Sequence, residues 1–266
     1  MKKTVTILFL FCSFFAFAHE FWLEPQKFLL AIGEKINFRI FVGENFTGEK
    51  VDFTKFSLQK FTHYTSKGEE NTKGNLTEQN INDFLKFETE GNHLIAFNNT
   101  NKHIELEAEK FNEYLKEDGL TNALAFRKKQ GQLNKKGREE YQRCAKTLLQ
   151  VGNIHDETYQ INTGMKLEII PEQNPYASAN SLTFKVLYDN RPLKNALVVV
   201  WQKPLTPEGD FKANKREFRS DAKGKIKFSF EPKGVWMVSS VNMVPHTNPT
   251  EADWQSYWGS YTFGFR

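Results

Sequence analysis

This sequence predicts a mainly β protein: two immunoglobulin-like or prealbumin-like sandwich domains with a helical insertion at about 105–152. Three observations carry that expectation. Phenylalanine dominates the aromatic content, 25 of 266 residues, and with β-branched residues it suits pleated, half-buried surfaces. Short apolar segments alternate with polar residues at period two. One stretch in the middle of the chain changes to helical spacing.

After a turn at Gly33, Ile36, Phe38, Ile40 and Val42 alternate with Asn37, Arg39 and Phe41, the pattern of a strand with one face on a core. Residues 56–64 (FSLQKFTHY) and 92–99 (NHLIAFNN) repeat the signal, with polar stretches containing Gly and Asn between them. An antiparallel sandwich is the economical arrangement. From Glu105 the period changes: Leu106, Phe111, Tyr114 and Leu115 recur at helical spacing and stop at Gly119, a C-cap residue. Thr121 can open a second short helix running through Phe126. A third helix is expected over 137–152, GREEYQRCAKTLLQVG, where Tyr141, Cys144 or Ala145, Leu148 and Leu149 share one helical face and Gly152 closes it.

A loose segment at 153–165 marks the expected domain boundary, and beyond it the β pattern resumes. Leu182, Phe184, Val186 and Tyr188 alternate up to an Asp189-Asn190 turn, and the apolar run after it reads as a strand buried on both sides. Asp221 and Gly224 stand first and fourth in another turn, before alternating Ile226, Phe228 and Phe230. An Asp side chain can hold the turn's amides, and Gly tolerates the positive φ that follows. The expected division is a leader at 1–18, an N-terminal sandwich with its insertion at 19–158, and a C-terminal domain at 159–266.

The leader has a secretory form. Lys2 and Lys3 precede an apolar run from Ile7 to Phe15, and Ala16-Phe17-Ala18 offers small residues where a signal peptidase reads. Cleavage between Ala18 and His19 would give a periplasmic chain beginning at His19. No segment is long and apolar enough for a membrane-spanning helix of about 20 residues. Cys12 leaves with the leader and Cys144 alone cannot form an internal disulfide, so an ordinary core has to hold the fold. The 36 basic residues fall to 34 without Lys2 and Lys3, against 32 acidic ones, which points to no nucleic-acid partner.

Several stretches together carry a family resemblance: AHEFWLEP, GEKINFRIFVGENF, YQRCAKTLLQVG, LEIIPEQNPY, LYDNRPLKNALVVVW, SDAKGKIKFSF and ADWQSYWGSYTF. The chain resembles the DUF4198 family of exported bacterial proteins over nearly its whole mature length. Some members of that family are described as NikM-like, accessory components of nickel or cobalt uptake. The resemblance implies a periplasmic protein with immunoglobulin-like or prealbumin-like β-domains, and a membrane metal-uptake complex as partner.

An N-terminal histidine offers its α-amine and imidazole Nδ1 to one metal ion. With unperturbed pKa values of about 8 and 6.5, the pair surrenders few protons to a divalent cation. Nitrogen-rich sites suit Ni(II), Cu(II) and Zn(II), and the resemblance adds cobalt. The candidate metal ligands are therefore His19 and, as its partners, His93 in a strand-like segment, His246 in a loop before the Trp-rich tail, and His103. Trp22, Trp254, Tyr257, Trp258 and Tyr261 could stack on a ligand, but WQSYWGSYTFGF alternates like the other strands, and core packing is the simpler role for Trp254 and Trp258. Six basic residues lie between Arg127 and Arg138, read as a solvated helix end because Glu139 and Glu140 follow.

No GxSxG, P-loop, HExxH or CxxC signature is present, and Cys144 on an apolar helical face would be inert. No catalytic residue is therefore assigned, and a non-enzymatic metal-binding role leads. Two rivals remain: a copper-dependent polysaccharide oxidase using the same terminal chelate, and a structural or carbohydrate-recognition module without metal.

Overall fold

The computed structural model describes residues 20–52, 55–72, 85–204 and 212–265. The expected leader and His19 lie outside the described residues.

The N-terminal half runs through β1 (Glu20–Pro25), β2 (Leu29–Leu30), β3 (Glu34–Ile36), β4 (Phe38–Glu44) and β5 (Thr47–Val51). It continues with β6 (Leu58–Thr65), β7 (Gly68–Asn71), β8 (Leu85–Phe87), β9 (Gly91–Asn99) and β10 (Lys102–Leu106). Two helices follow, α1 (Ala108–Glu117) and α2 (Thr121–Lys129), and then the long strand β11 (Gly137–Val151). The C-terminal half contains β12 (Leu167–Pro171), β13 (Ser181–Tyr188), β14 (Arg191–Pro192), β15 (Leu197–Lys203) and β16 (Asn214–Arg219). It closes with β17 (Lys225–Ser229), β18 (Val235–Pro245) and β19 (Trp254–Gly264).

The chain is mostly strand, in a sandwich-like arrangement. Among the described residues ten strands make one sheet, in the order β16-β15-β18-β19-β11-β9-β6-β7 with β10 and β2 also paired to β11. One face of this sheet packs on β12, β13 and β17 through a core containing Leu167, Phe184, Phe228, Trp236 and Phe263. The opposite face packs on β1, β3, β4 and β8 through Phe21, Leu23, Phe38, Ile40 and Phe87. β11 runs through the middle and feeds both cores, Cys144 and Leu148 on one side, Ala145, Leu149 and Val151 on the other. The 153–165 stretch contains a 3-10 turn at Glu157–Gln160, and the sheet continues past it because β11 pairs in parallel with β19.

Two predicted helices form and the third does not. α1 buries Phe111, Tyr114 and Leu115 against Val241, Met243 and Trp254, as its spacing requires. Residues 137–151, expected as a helix, are instead a fifteen-residue strand. From Arg143 to Val151 every residue is buried, and burial on both faces removes the alternation that would have marked a strand. The turns follow the expected chemistry. Asp189 and Asn190 take φ of 50° and 60°, the left-handed pair of a tight hairpin turn. Asp221 Oδ1 accepts the amides of Lys223 and Lys225, both at 2.8 Å.

The basic stretch that begins in the last turn of α2 differs from expectation at its first residue. Arg127 is buried rather than solvated: it donates to Asn112 Oδ1 and to the carbonyls of Gln132 and Lys135, with its guanidinium 4.8 Å from the Phe111 ring centre. Trp22, Trp254 and Tyr261 are core residues, all at most 2% exposed.

Candidate metal centre

Strand register decides which side chains meet. β10 pairs antiparallel with β11, placing His103 opposite Glu140, while β11 pairs with β19, placing Glu140 opposite Gln255. Glu139 points inward beneath α1, so by strand alternation Glu140 points to the other face. There the segment between β18 and β19 folds over it, carrying His246 and Glu251. His246 Nε2 stands 3.4 Å from Glu140 Oε2. One ligand atom from each of Glu140, His246 and Glu251 lies within 4.8 Å of the others.

The segment is held in this position. Asn248 is its hub: its Oδ1 accepts from Thr250 Oγ1 at 2.7 Å, and its carbonyl accepts the Glu251 amide at 3.1 Å. Arg138, two residues before Glu140, clamps the segment to β11. Its guanidinium donates to the Pro249 carbonyl at 2.7 Å, the Thr250 carbonyl at 3.1 Å and Asp253 Oδ1 at 2.9 Å. Asp253 Oδ2 in turn accepts the Arg138 amide at 3.0 Å. This ion pair is half-buried and fixes Glu140 on the strand relative to His246 and Glu251 on the loop.

Asn248 also controls the imidazole. Nδ1 of His246 lies 2.9 Å from the Asn248 carbonyl and 3.0 Å from its amide nitrogen. The ring can therefore accept the amide while Nε2–H faces Glu140, or donate Nδ1–H to the carbonyl while the Nε2 lone pair faces the Glu140 carboxylate. The second tautomer is the one a metal needs, and a backbone carbonyl on the distal nitrogen is the usual way a ligating histidine is oriented. Exchange of a proton for a cation at Nε2 thus requires no ring movement. One imidazole and two carboxylates make an N/O donor set of borderline hardness.

The four expected ligands are distributed as follows. His246 is in the cluster. His103 is exposed directly across from Glu140. His93 is elsewhere, in β9, where its Nδ1 lies 2.7 Å from His63 Nε2 and its Nε2 lies 2.8 Å from the Thr89 carbonyl. Those two rings stack 4.9 Å apart beside Phe87. Burial pushes the His63 pKa down to about 3 and lowers that of His93, so the pair is neutral at ordinary pH. His19 lies outside the described residues. Its neighbour Glu20 borders a small cavity with Phe21, Asp118, Trp258 and Gly259, and among the described residues no histidine lines it. Trp258 is four residues along β19 from Trp254, which pairs with Pro245 beside His246. At about 3.3 Å per residue that is roughly 13 Å along the strand.

Glu140 and Glu251 were absent from the sequence-level candidates. Glu140 falls in the segment that reads as helix, and only its pairing with β10 on one side and β19 on the other reveals its neighbours. Cys144 is buried, with its thiol pushed up to about 12 by desolvation, and is inert as expected though on a strand.

Fold and centre together describe a stacked-sheet β protein with a histidine–carboxylate cluster on a strand-and-loop frame. The chain belongs to the family described as "Domain of unknown function (DUF4198)", whose model matches residues 16–244. Among solved structures it is similar to the D0-D1 domain of intimin, with 12% identity, 92% of this chain and 97% of that chain covered, and a TM-score of 0.22. Another is trypsin-activated alpha-2-macroglobulin from Escherichia coli, with 8% identity, 94% of this chain and 16% of that chain covered, and a TM-score of 0.21. No curated protein matches the chain. Among the described residues no helix is long and apolar enough to cross a membrane.

Proposed function

We propose that this chain binds one divalent transition-metal ion, Ni(II), Co(II) or Cu(II), at the centre formed by Glu140, His246 and Glu251. The observation that carries this reading is the His246 imidazole, held at Nδ1 by Asn248 and facing Glu140 through Nε2, with a Glu251 carboxylate oxygen in the same 4.8 Å group. Two carboxylates neutralise a dication, and the imidazole favours a borderline metal over a purely oxygen-seeking one. The secretory form of residues 1–18 and the resemblance to NikM-like proteins support a periplasmic location and service to a membrane metal-uptake complex.

The alternative holder of the ion is a chelate at His19, which lies outside the described residues. Titrating the purified mature protein with each metal, followed by intact native mass, distinguishes the two. The expected outcome is uptake of one ion that survives addition of an extra residue before His19 and is lost in His246→Ala. Binding undiminished in His246→Ala would refute the centre.

A further inference from the structure

We propose that His103 is the fourth protein ligand of this centre and sets its preference for transition metals over calcium or magnesium; the inference rests on the reading of Glu140, His246 and Glu251 as a metal site. The register is the first support. His103 and Glu140 are direct cross-strand partners, so their Cβ atoms stand about 4.5–5.5 Å apart and their side chains leave the same face of the sheet. Alternation along β10 agrees, since Ile104 and Leu106 pack with the helices while His103 and Glu105 are exposed.

The second support is what the ring does now. Among the described residues the His103 imidazole has no hydrogen-bond or ring partner, whereas the other polar groups around Glu140 are engaged. Asn101 Nδ2 donates to Glu140 Oε2 and lies 3.1 Å from Gln255 Oε1. Gln255 Nε2 donates to the Glu140 carbonyl at 3.1 Å. His103 is thus an uncommitted imidazole beside an ordered cluster, on the strand position directly across from Glu140. In its present rotamer its nitrogens stay outside the 4.8 Å group.

Adding it changes the chemistry. One nitrogen beside two carboxylates already sets the centre apart from calcium and magnesium, which take all-oxygen shells, and a second nitrogen widens that preference. Two nitrogens and two carboxylates give a four-point shell matching tetrahedral zinc or cobalt and the tetragonal tendency of nickel and copper. The ligands would come from β10, β11 and the β18–β19 connection, so the ion would also join three segments distant in sequence.

The test uses the full mature protein loaded with Co(II) alone, in wild type, His103→Ala, His103→Asn and His246→Ala. X-ray absorption should count two imidazoles in wild type and one in both His103 variants. Their Co(II) affinity should fall at least 10-fold, with selectivity over Ca(II) reduced in parallel. Circular dichroism matching wild type in His103→Asn separates ligand loss from misfolding. One imidazole in wild type, with affinity unchanged in the His103 variants but lost in His246→Ala, overturns the role of His103 and leaves the three-residue centre standing. Affinity unchanged in His246→Ala overturns both.

Discussion

Glu139 and Glu140 are adjacent in sequence and opposite in fate. Glu140 faces the loop centre. Glu139 is buried beneath α1, where Ser256 Oγ and the Tyr114 hydroxyl donate to its carboxyl, yet desolvation outweighs them and raises its pKa to about 7. The unfolded chain releases this proton near pH 4.5. Between pH 4.5 and 7 the folded state therefore holds the extra proton, and stability falls as pH rises through that window. A shift of this size corresponds to about 3 kcal/mol at full expression. Glu139→Gln keeps the hydrogen bonds and removes the ionisation. Urea unfolding should find the variant more stable than wild type at pH 8, by about 1–3 kcal/mol, and nearly equal at pH 5. An advantage of the same size at both pH values would show that burial of charge is not the cause. At this scale the sequence reveals a residue's chemistry but not its company. His246 and His103 stood out as rare imidazoles, while Glu140 and Glu251 were two carboxylates among 32 acidic side chains until the register brought them together.

Among the elements, β11 is the instructive one. Its residues include Glu, Gln, Arg, Ala, Lys and Leu, all good helix formers, and its apolar positions fall three to four apart. Tertiary packing overrode that preference, because a strand enclosed by two cores needs apolar side chains in both directions. Lys146, which would break the pattern, is buried in an ion pair with Glu168, whose other oxygen accepts the amides of Thr163 and Met165. Such pairing cannot be read from spacing. The hairpin at Asp189-Asn190 and the turn at Asp221 were legible because their backbone requirement is local. One glycine, the first residue of β11, also sets how closely that strand approaches α1. A Cβ at Gly137 would lie 2.3 Å from the Phe111 ring, so the strand can pass under α1 only without a side chain there. Gly137→Ala should cost about 1–3 kcal/mol by overpacking, read as a lower urea midpoint with an unchanged slope. A midpoint equal to wild type would mean that Phe111 can move aside.

Across the whole molecule the two cores share one wall. The ten-stranded sheet supplies side chains to both, and β11 lies in contact with each, so losing one core strips support from the other. Urea unfolding followed by tryptophan fluorescence and by far-ultraviolet circular dichroism should give a single coincident transition. Two separated midpoints would show that the halves melt independently. The fold class was legible because alternation and turn chemistry repeat along the chain. The shared wall was not, since nothing local announces that a strand will pair with another roughly a hundred residues later.

That parallel partnership has a bearing on how the chain is made. β11 emerges from the ribosome well before β19, and at 5–20 residues per second the delay is about 5–20 s. Throughout it the middle strand has most of one flank, Glu139 to Thr147, unpaired and only part of its packing. A nascent polypeptide in this condition stays open to chaperones, and completion waits for the closing strand to arrive, a delay that would serve the export proposed for this chain.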